Sequence, residues 1–127
     1  MAVKTFSEYV DSLRQLKPTA YMFGQRLENV VDNPRIRGGI NATGSTYEFA
    51  NSDKYRDLFT AASPFNGYRI NRFTLPPRSI EDLVARVKIN RILGAHVGTC
   101  HQRCTGLDCM AALSIVAFNI GLCSKVT

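Results

Sequence analysis

Apolar residues first repeat at helical spacing near the N-terminus, where Phe6, Tyr9, Val10, Leu13 and Leu16 follow the string Thr5-x-x-Glu8. Threonine three residues ahead of glutamate is the signature of a capping box, so this spacing predicts a helix that runs from Thr5 until Lys17-Pro18 stops it. In "AYMFGQRLENVVDNP" the apolar positions fall in two runs either side of Gly24, the pattern of a short strand, a turn and a second extended piece. "GSTYEFANS" and "SDKYRDLFTAA" read as short helices, the second capped by Ser52 with Asp53 in its first turn. Asn66-Gly67 between aromatic residues in "SPFNGYRINRFTLPP" predicts a hairpin, and Pro76-Pro77 breaks the chain after it.

A second Ser-x-x-acid cap, Ser79 to Asp82, opens a helix whose buried stripe is expected to be Ile80, Leu83, Val84 and Val87. A last helix begins near Asp108. From Cys109 to Ile120 it is apolar on every side, and such a helix must be surrounded by protein or lipid. The uncharged run is shorter than a bilayer span and contains Asn119, which selects protein. Full coverage then needs more chain or another subunit. The expected architecture is mainly α with short β hairpins, a single domain over residues 1–127 that forms the N-terminal piece of a longer protein.

Composition narrows the function classes. The chain has 127 residues, 45% hydrophobic and 20% charged, the balance of an ordinary globular domain. Its net charge of +6 admits an anionic partner, but lysine and arginine are dispersed, with no dense basic run and no nucleic-acid-binding signature. Nucleic acid is therefore not expected as a partner, and neither is a membrane. "MAVKTFSEYVDS" carries no secretory signal, so a cytoplasmic location is the expectation. Thiols stay reduced there, and Cys100, Cys104, Cys109 and Cys123 read as free, catalytic or metal-bound rather than as two disulfides.

Three features carry candidate chemistry. Arg91 follows Val84 and Val87 at helical spacing and is expected to face inward, toward an anion or carbonyl; the alternative is that it reaches the rim or pairs with a carboxylate such as Asp108. Gly94 and Gly98, four apart, leave one flank of the same helix bare for another backbone or a flat ligand, at a cost of about 1 kcal/mol each relative to alanine. Cys100 and Cys104, if "TCHQRCTG" is helical, share one face and can present two soft thiolates to zinc or an iron–sulfur centre; buried free thiols are the alternative. His101 points off that face and is expected to hydrogen-bond on the outside, with ligation as the alternative. No Ser-His-Asp order, phosphate loop or paired carboxylate set is present in the sequence.

The string "RVKINRILGAHVGTCHQRCTGLD", with "AYMFGQRLENVVDNPRIR" and "RINRF" upstream, resembles the 4-hydroxybutyryl-CoA dehydratase branch of the 4-hydroxyphenylacetate 3-hydroxylase flavoproteins, over nearly the whole chain from Phe6 to about Ile120. The resemblance implies the N-terminal helical domain of an acyl-CoA dehydrogenase-like fold, followed in longer members by a β domain and a helical bundle. It implies FAD and a 4Fe–4S cluster as cofactors, with Cys100 and Cys104 as metal ligands and a histidine and a third cysteine supplied by later sequence. It further implies that Arg91 and Gln102 bind substrate, an acyl-CoA, and that the assembly is a homotetramer. The implied reaction takes 4-hydroxybutyryl-CoA to crotonyl-CoA, with vinylacetyl-CoA isomerase activity. This chain alone, without flavin-binding and later ligand segments, is expected to be inactive. The oxygen-using hydroxylases of the same family lack the cysteine pair; a hydroxylase fragment or a non-enzymatic helical interaction module are the other readings.

Overall fold

Thr5 begins the first helix by the expected route. Its hydroxyl accepts from the Glu8 N–H at 3.2 Å, the Glu8 carboxylate accepts from the Thr5 N–H at 2.7 Å, and helix α1 spans Phe6–Leu16. Lys17, at φ 43°, takes the left-handed conformation that ends it. In this computed structural model residues 3–101 and 104–121 are described, Cys104, Thr105 and Phe118 by backbone alone.

The predicted strand–turn–strand is a small antiparallel hairpin of β1 (Tyr21–Met22) and β2 (Gln25–Arg26). Phe23 and Gly24 both have positive φ, 52° and 77°, as a two-residue turn matched to strand twist requires.

The next helix is longer than expected. "GSTYEFANS" is not a separate short helix but the second half of α2, Pro34–Asn51, which Asn33 caps by accepting from the Arg35 N–H at 3.0 Å. Proline at the first helical position starts it well. Glycines at 38, 39 and 44 hide this helix from a propensity reading, since each weakens an isolated helix. Gly44 has a packing reason: a Cβ there would collide with the Phe6 ring, so the bare position lets α1 lie against α2. Ser52 closes α2 rather than capping the helix after it. That helix, α3 (Arg56–Phe59), is a single turn without a side-chain cap, and Asp53 pairs with Arg56 at 2.6 Å.

The second expected hairpin is present as β3 (Thr60–Ala62) against β4 (Arg69–Asn71), with Thr60 opposite Asn71 and Ala62 opposite Arg69. Asn66-Gly67 sits inside a longer connection, where Asn66 Oδ1 accepts from the Tyr68 N–H at 3.1 Å and Gly67 has φ 69°. A 3-10 turn over Arg72–Thr74 and the two prolines lead to α4, Ile80–Val97, capped by Ser79, whose hydroxyl accepts from the Asp82 N–H at 3.3 Å. Helix α5 spans Cys104–Asn119. The fold is mainly helical with two small antiparallel hairpins.

Two apolar clusters hold it. Val10, Val31 and Ile40 join α1 to α2, with Phe6, Tyr9, Leu13 and Ile36 at their edge. The larger cluster, Ala50, Phe59, Phe73, Ile89, Leu93 and Leu107, gathers α2, α3, the 3-10 turn, α4 and α5. Ile89 and Leu93 thus define the buried side of α4, and the expected stripe is overturned: Ile80, Leu83, Val84 and Val87 are exposed, Ile80 at 75%. Helix α4 is apolar on two sides, and α2 and α3 cover only one of them. The same holds for α5, which buries Leu107 and leaves Met110, Leu113, Ile115 and Val116 exposed among the described residues.

Polar groups join the pieces where apolar contact cannot. Arg72 donates to the carbonyls of Leu58 at 2.8 Å and Thr60 at 3.0 Å and to Asp82 Oδ1 at 3.0 Å, the two charged side chains being only 18% and 17% exposed. Beside it, buried Asn71 donates to the Thr46 carbonyl at 3.1 Å and accepts from the Phe73 N–H at 3.1 Å.

Replacing Arg72 by Met removes the side-chain donor from these carbonyls and the ion-pair partner from the largely buried Asp82 carboxylate, and the expected loss is about 2 kcal/mol, read from the urea midpoint. A second expectation concerns acid. Hydrogen bonds from Thr5 hold the Glu8 carboxyl below its usual 4.5, and Arg14 with Asn29 holds Asp32 below its usual 3.8. Both folded values are depressed, so their stabilisation is complete above pH 4.5 and is lost as pH falls through the lower folded values. Melting temperature should be level from about pH 7 to about 5 and decline below, less steeply in Glu8→Gln.

Candidate functional site

Helix α4 stops where the candidate chemistry begins. Gly98 adopts φ 64° and its N–H donates to the Gly94 carbonyl at 3.0 Å, a left-handed glycine cap. Beyond it the chain is not helical through Cys100 and His101, and α5 starts only at Cys104. The two cysteines therefore do not share a turn of one helix. Cys100 belongs to the connection, with an exposed thiol, and Cys104 is the first residue of the next helix. The placement of the Cys104 side chain and the whole of Gln102 lie outside the described residues.

His101 reverses its expected role. It is buried, 5% exposed, with its ring edge-on to Phe73 at 5.5 Å between centroids, and its carbonyl accepts from the Thr43 hydroxyl at 3.2 Å. Thr43 precedes it by 58 residues, so no local pattern could have disclosed the contact. His96, in the last turn of α4, lies against Phe49 at 5.0 Å.

Arg91 is exposed rather than inward-facing, which agrees with the alternative that it reaches the rim. Helical spacing puts it on the uncovered side of α4 with Val84, Val87, Gly94 and Gly98. A Cβ at either glycine would meet nothing within 4 Å. Arginine, apolar side chains and bare backbone thus form one open strip that leads to the Cys100 connection. The inward arginine is Arg86, which donates to the Leu75 carbonyl at 2.8 Å. Burial pushes its pKa down, and the charges of Asp108 and Asp82 oppose that shift. Asp108, considered as a partner for Arg91, faces Arg86 instead. Charge at 86 among apolar residues was a signal in the sequence, four residues after Asp82.

Among the described residues no three His, Cys, Asp or Glu side chains gather as a complete metal-binding set. An exposed thiol at Cys100 and a cysteine at the head of α5 nevertheless suit a shared ligand that is finished by groups from elsewhere. No described helix is long and apolar enough to cross a membrane.

Residues 5–126 match the family model "4-hydroxyphenylacetate 3-hydroxylase N terminal". Over 116 residues the chain is 42% identical to 4-hydroxybutyryl-CoA dehydratase/vinylacetyl-CoA-Delta-isomerase of Clostridium aminobutyricum, covering 91% of this chain and 24% of that protein. It is 28% identical to the oxygenase component of 4-hydroxyphenylacetate 3-monooxygenase from Geobacillus over 68% of its own length and 17% of the other. Among solved structures, the oxygen-tolerant 4-hydroxybutyryl-CoA dehydratase of N. maritimus superposes with a TM-score of 0.86 at 38% identity, over 96% of this chain and 24% of that one. An oxygenase component of 4-hydroxyphenylacetate 3-monooxygenase superposes at 0.61 with 24% identity over 72% of this chain and 19% of that one, a likeness of fold. The chain thus spans about a quarter of the length of the dehydratases it matches. By sequence and by fold it belongs to the 4-hydroxyphenylacetate 3-hydroxylase N-terminal family and resembles the start of its 4-hydroxybutyryl-CoA dehydratases.

Proposed function

We propose that the chain is the N-terminal domain of a flavin- and cluster-dependent dehydratase that converts 4-hydroxybutyryl-CoA to crotonyl-CoA, within an acyl-CoA dehydrogenase-like, homotetrameric, cytoplasmic enzyme. The observation that carries this reading is 42% identity to the Clostridium dehydratase across 91% of the chain, against 28% to the oxygenase component. The C-x3-C pair supports the same choice, since two thiolates suit an iron–sulfur centre and have no evident use in aromatic hydroxylation.

Cys100 and Cys104 would supply two thiolate ligands to a 4Fe–4S cluster, and the downstream polypeptide the others. When bound, the cluster offers a Lewis-acidic iron to the departing hydroxyl and FAD offers one-electron chemistry for a hydrogen that is not acidic. This chain's residues hold and orient. Arg91 binds an anionic or carbonyl oxygen of the acyl-CoA from the open strip of α4, and Gln102 adds a hydrogen bond to it. Gly94 and Gly98 remove side chains that would keep a flat group away from the backbone. Val84 and Val87 supply apolar surface that excludes water once covered.

The test is anaerobic coexpression of this chain with the downstream three quarters of the Clostridium relative. Flavin absorbance, iron and sulfide, and crotonyl-CoA from 4-hydroxybutyryl-CoA are expected, with no activity from the chain alone. Cys100→Ser and Cys104→Ser should each lower the iron and sulfide bound by the assembled protein, and activity with it. A hydroxylated aromatic product, or iron content indifferent to both cysteines, overturns the assignment.

A further inference from the structure

We propose that His101 is a positioning residue, which acts with Thr43 and Phe73 to set how the Cys100–Cys104 pair is presented to a shared ligand. The inference rests on the reading that those two cysteines act on one ligand, and it adds what fixes them.

Beyond the glycine cap at Gly98, Cys100 and His101 have no helix to hold them. A connection of this kind is free to take many backbone conformations, and each would display Cys100 differently. Two contacts remove that freedom at one residue: the Thr43 hydroxyl on the His101 carbonyl at 3.2 Å and the Phe73 ring on the imidazole at 5.5 Å. His101 is 5% exposed while Cys100 beside it is exposed, so the buried histidine fixes the backbone from which the cysteine is displayed.

The anchor reaches Cys104 as well. Phe73 lies in the same apolar cluster as Leu107, one turn into α5, so one ring braces both the middle of the connection and the start of the last helix. Phe73 is itself set by Asn71, which accepts from the Phe73 N–H and donates to the Thr46 carbonyl on α2. Thr43 and Thr46, three apart on α2, are therefore the fixed points for both sides of the cysteine connection. A pair of ligands held in place before binding loses less conformational freedom on binding, which raises affinity without any new contact.

Phenylarsine oxide probes this directly, because it condenses with two thiols to form a cyclic dithioarsenite and releases one water. The whole chain carrying Cys109→Ser and Cys123→Ser retains only Cys100 and Cys104 and should bind one equivalent. Thr43→Val, which keeps shape and removes the donor, should weaken binding about five-fold, and His101→Ala roughly ten-fold. Thr43→Ser should restore it. Val10→Ala, in the other apolar cluster, serves as the control for general destabilisation: it should lower the melting temperature and leave arsenical affinity unchanged. If binding requires both cysteines but ignores Thr43→Val and His101→Ala, the anchor is refuted while the pair stands. Val10→Ala weakening binding as much as Thr43→Val also refutes it. If binding by the chain carrying Cys109→Ser and Cys123→Ser does not need both remaining cysteines, the shared-ligand reading itself falls.

Discussion

The Arg72 guanidinium is the constraint on which the arrangement turns. It lies where a one-turn helix, a short hairpin and the N-terminus of α4 converge, elements too small to bury much apolar surface between them. Carbonyls at Leu58 and Thr60 would otherwise end inside the protein without donors, and an unmade bond there costs more than a made one contributes. Arginine alone among the side chains has a planar fork that satisfies two carbonyls and a carboxylate together. Through Asp82, which also accepts from the Arg78 N–H at 3.1 Å, the same contact sets where α4 starts. The position of α4 in turn sets the open strip and the glycine cap from which the cysteine connection leaves.

The "RINRF" string is accordingly structural in this chain. Asn71 and Arg72 tie the hairpin to α2 and α4, and Phe73 enters the core between them. A row of polar residues at the edge of a strand would ordinarily read as solvated surface. Here their partners are main-chain carbonyls far away in sequence, a kind of partner that leaves no mark in a side-chain pattern.

The uncovered faces of α4 and α5 say how the candidate site is organised. Branched and aliphatic side chains in contiguous exposed strips are unfavourable in water and mark surfaces that meet other groups. Arg91, the bare glycines and the Cys100 thiol border such a strip rather than a closed cavity. An arrangement of this kind supplies part of a pocket wall, and it agrees with a chain that spans about a quarter of its dehydratase relatives.

Local chemistry was sufficient wherever an element's limits depend on residues within a turn of one another. The Thr5–Glu8 box, the Phe23-Gly24 turn, the Ser79 cap and the helical character of the last segment were all legible in the sequence for that reason. Helix α2 was only half legible because glycine argues against helix locally, and its compensation, the approach of Phe6 to Gly44, comes from another element. Which side of α4 faces inward could not be read, since both sides are apolar and only the placement of α2 and α3 chooses between them. The cysteine pair was visible as a spacing, but its display was not: a glycine in the left-handed region ends the helix, and a histidine is drawn inward by Thr43 and Phe73. Sequence alone determined the donors and the caps, because these are properties of single residues and their near neighbours; tertiary structure decided burial and direction, because these depend on what the rest of the chain brings alongside.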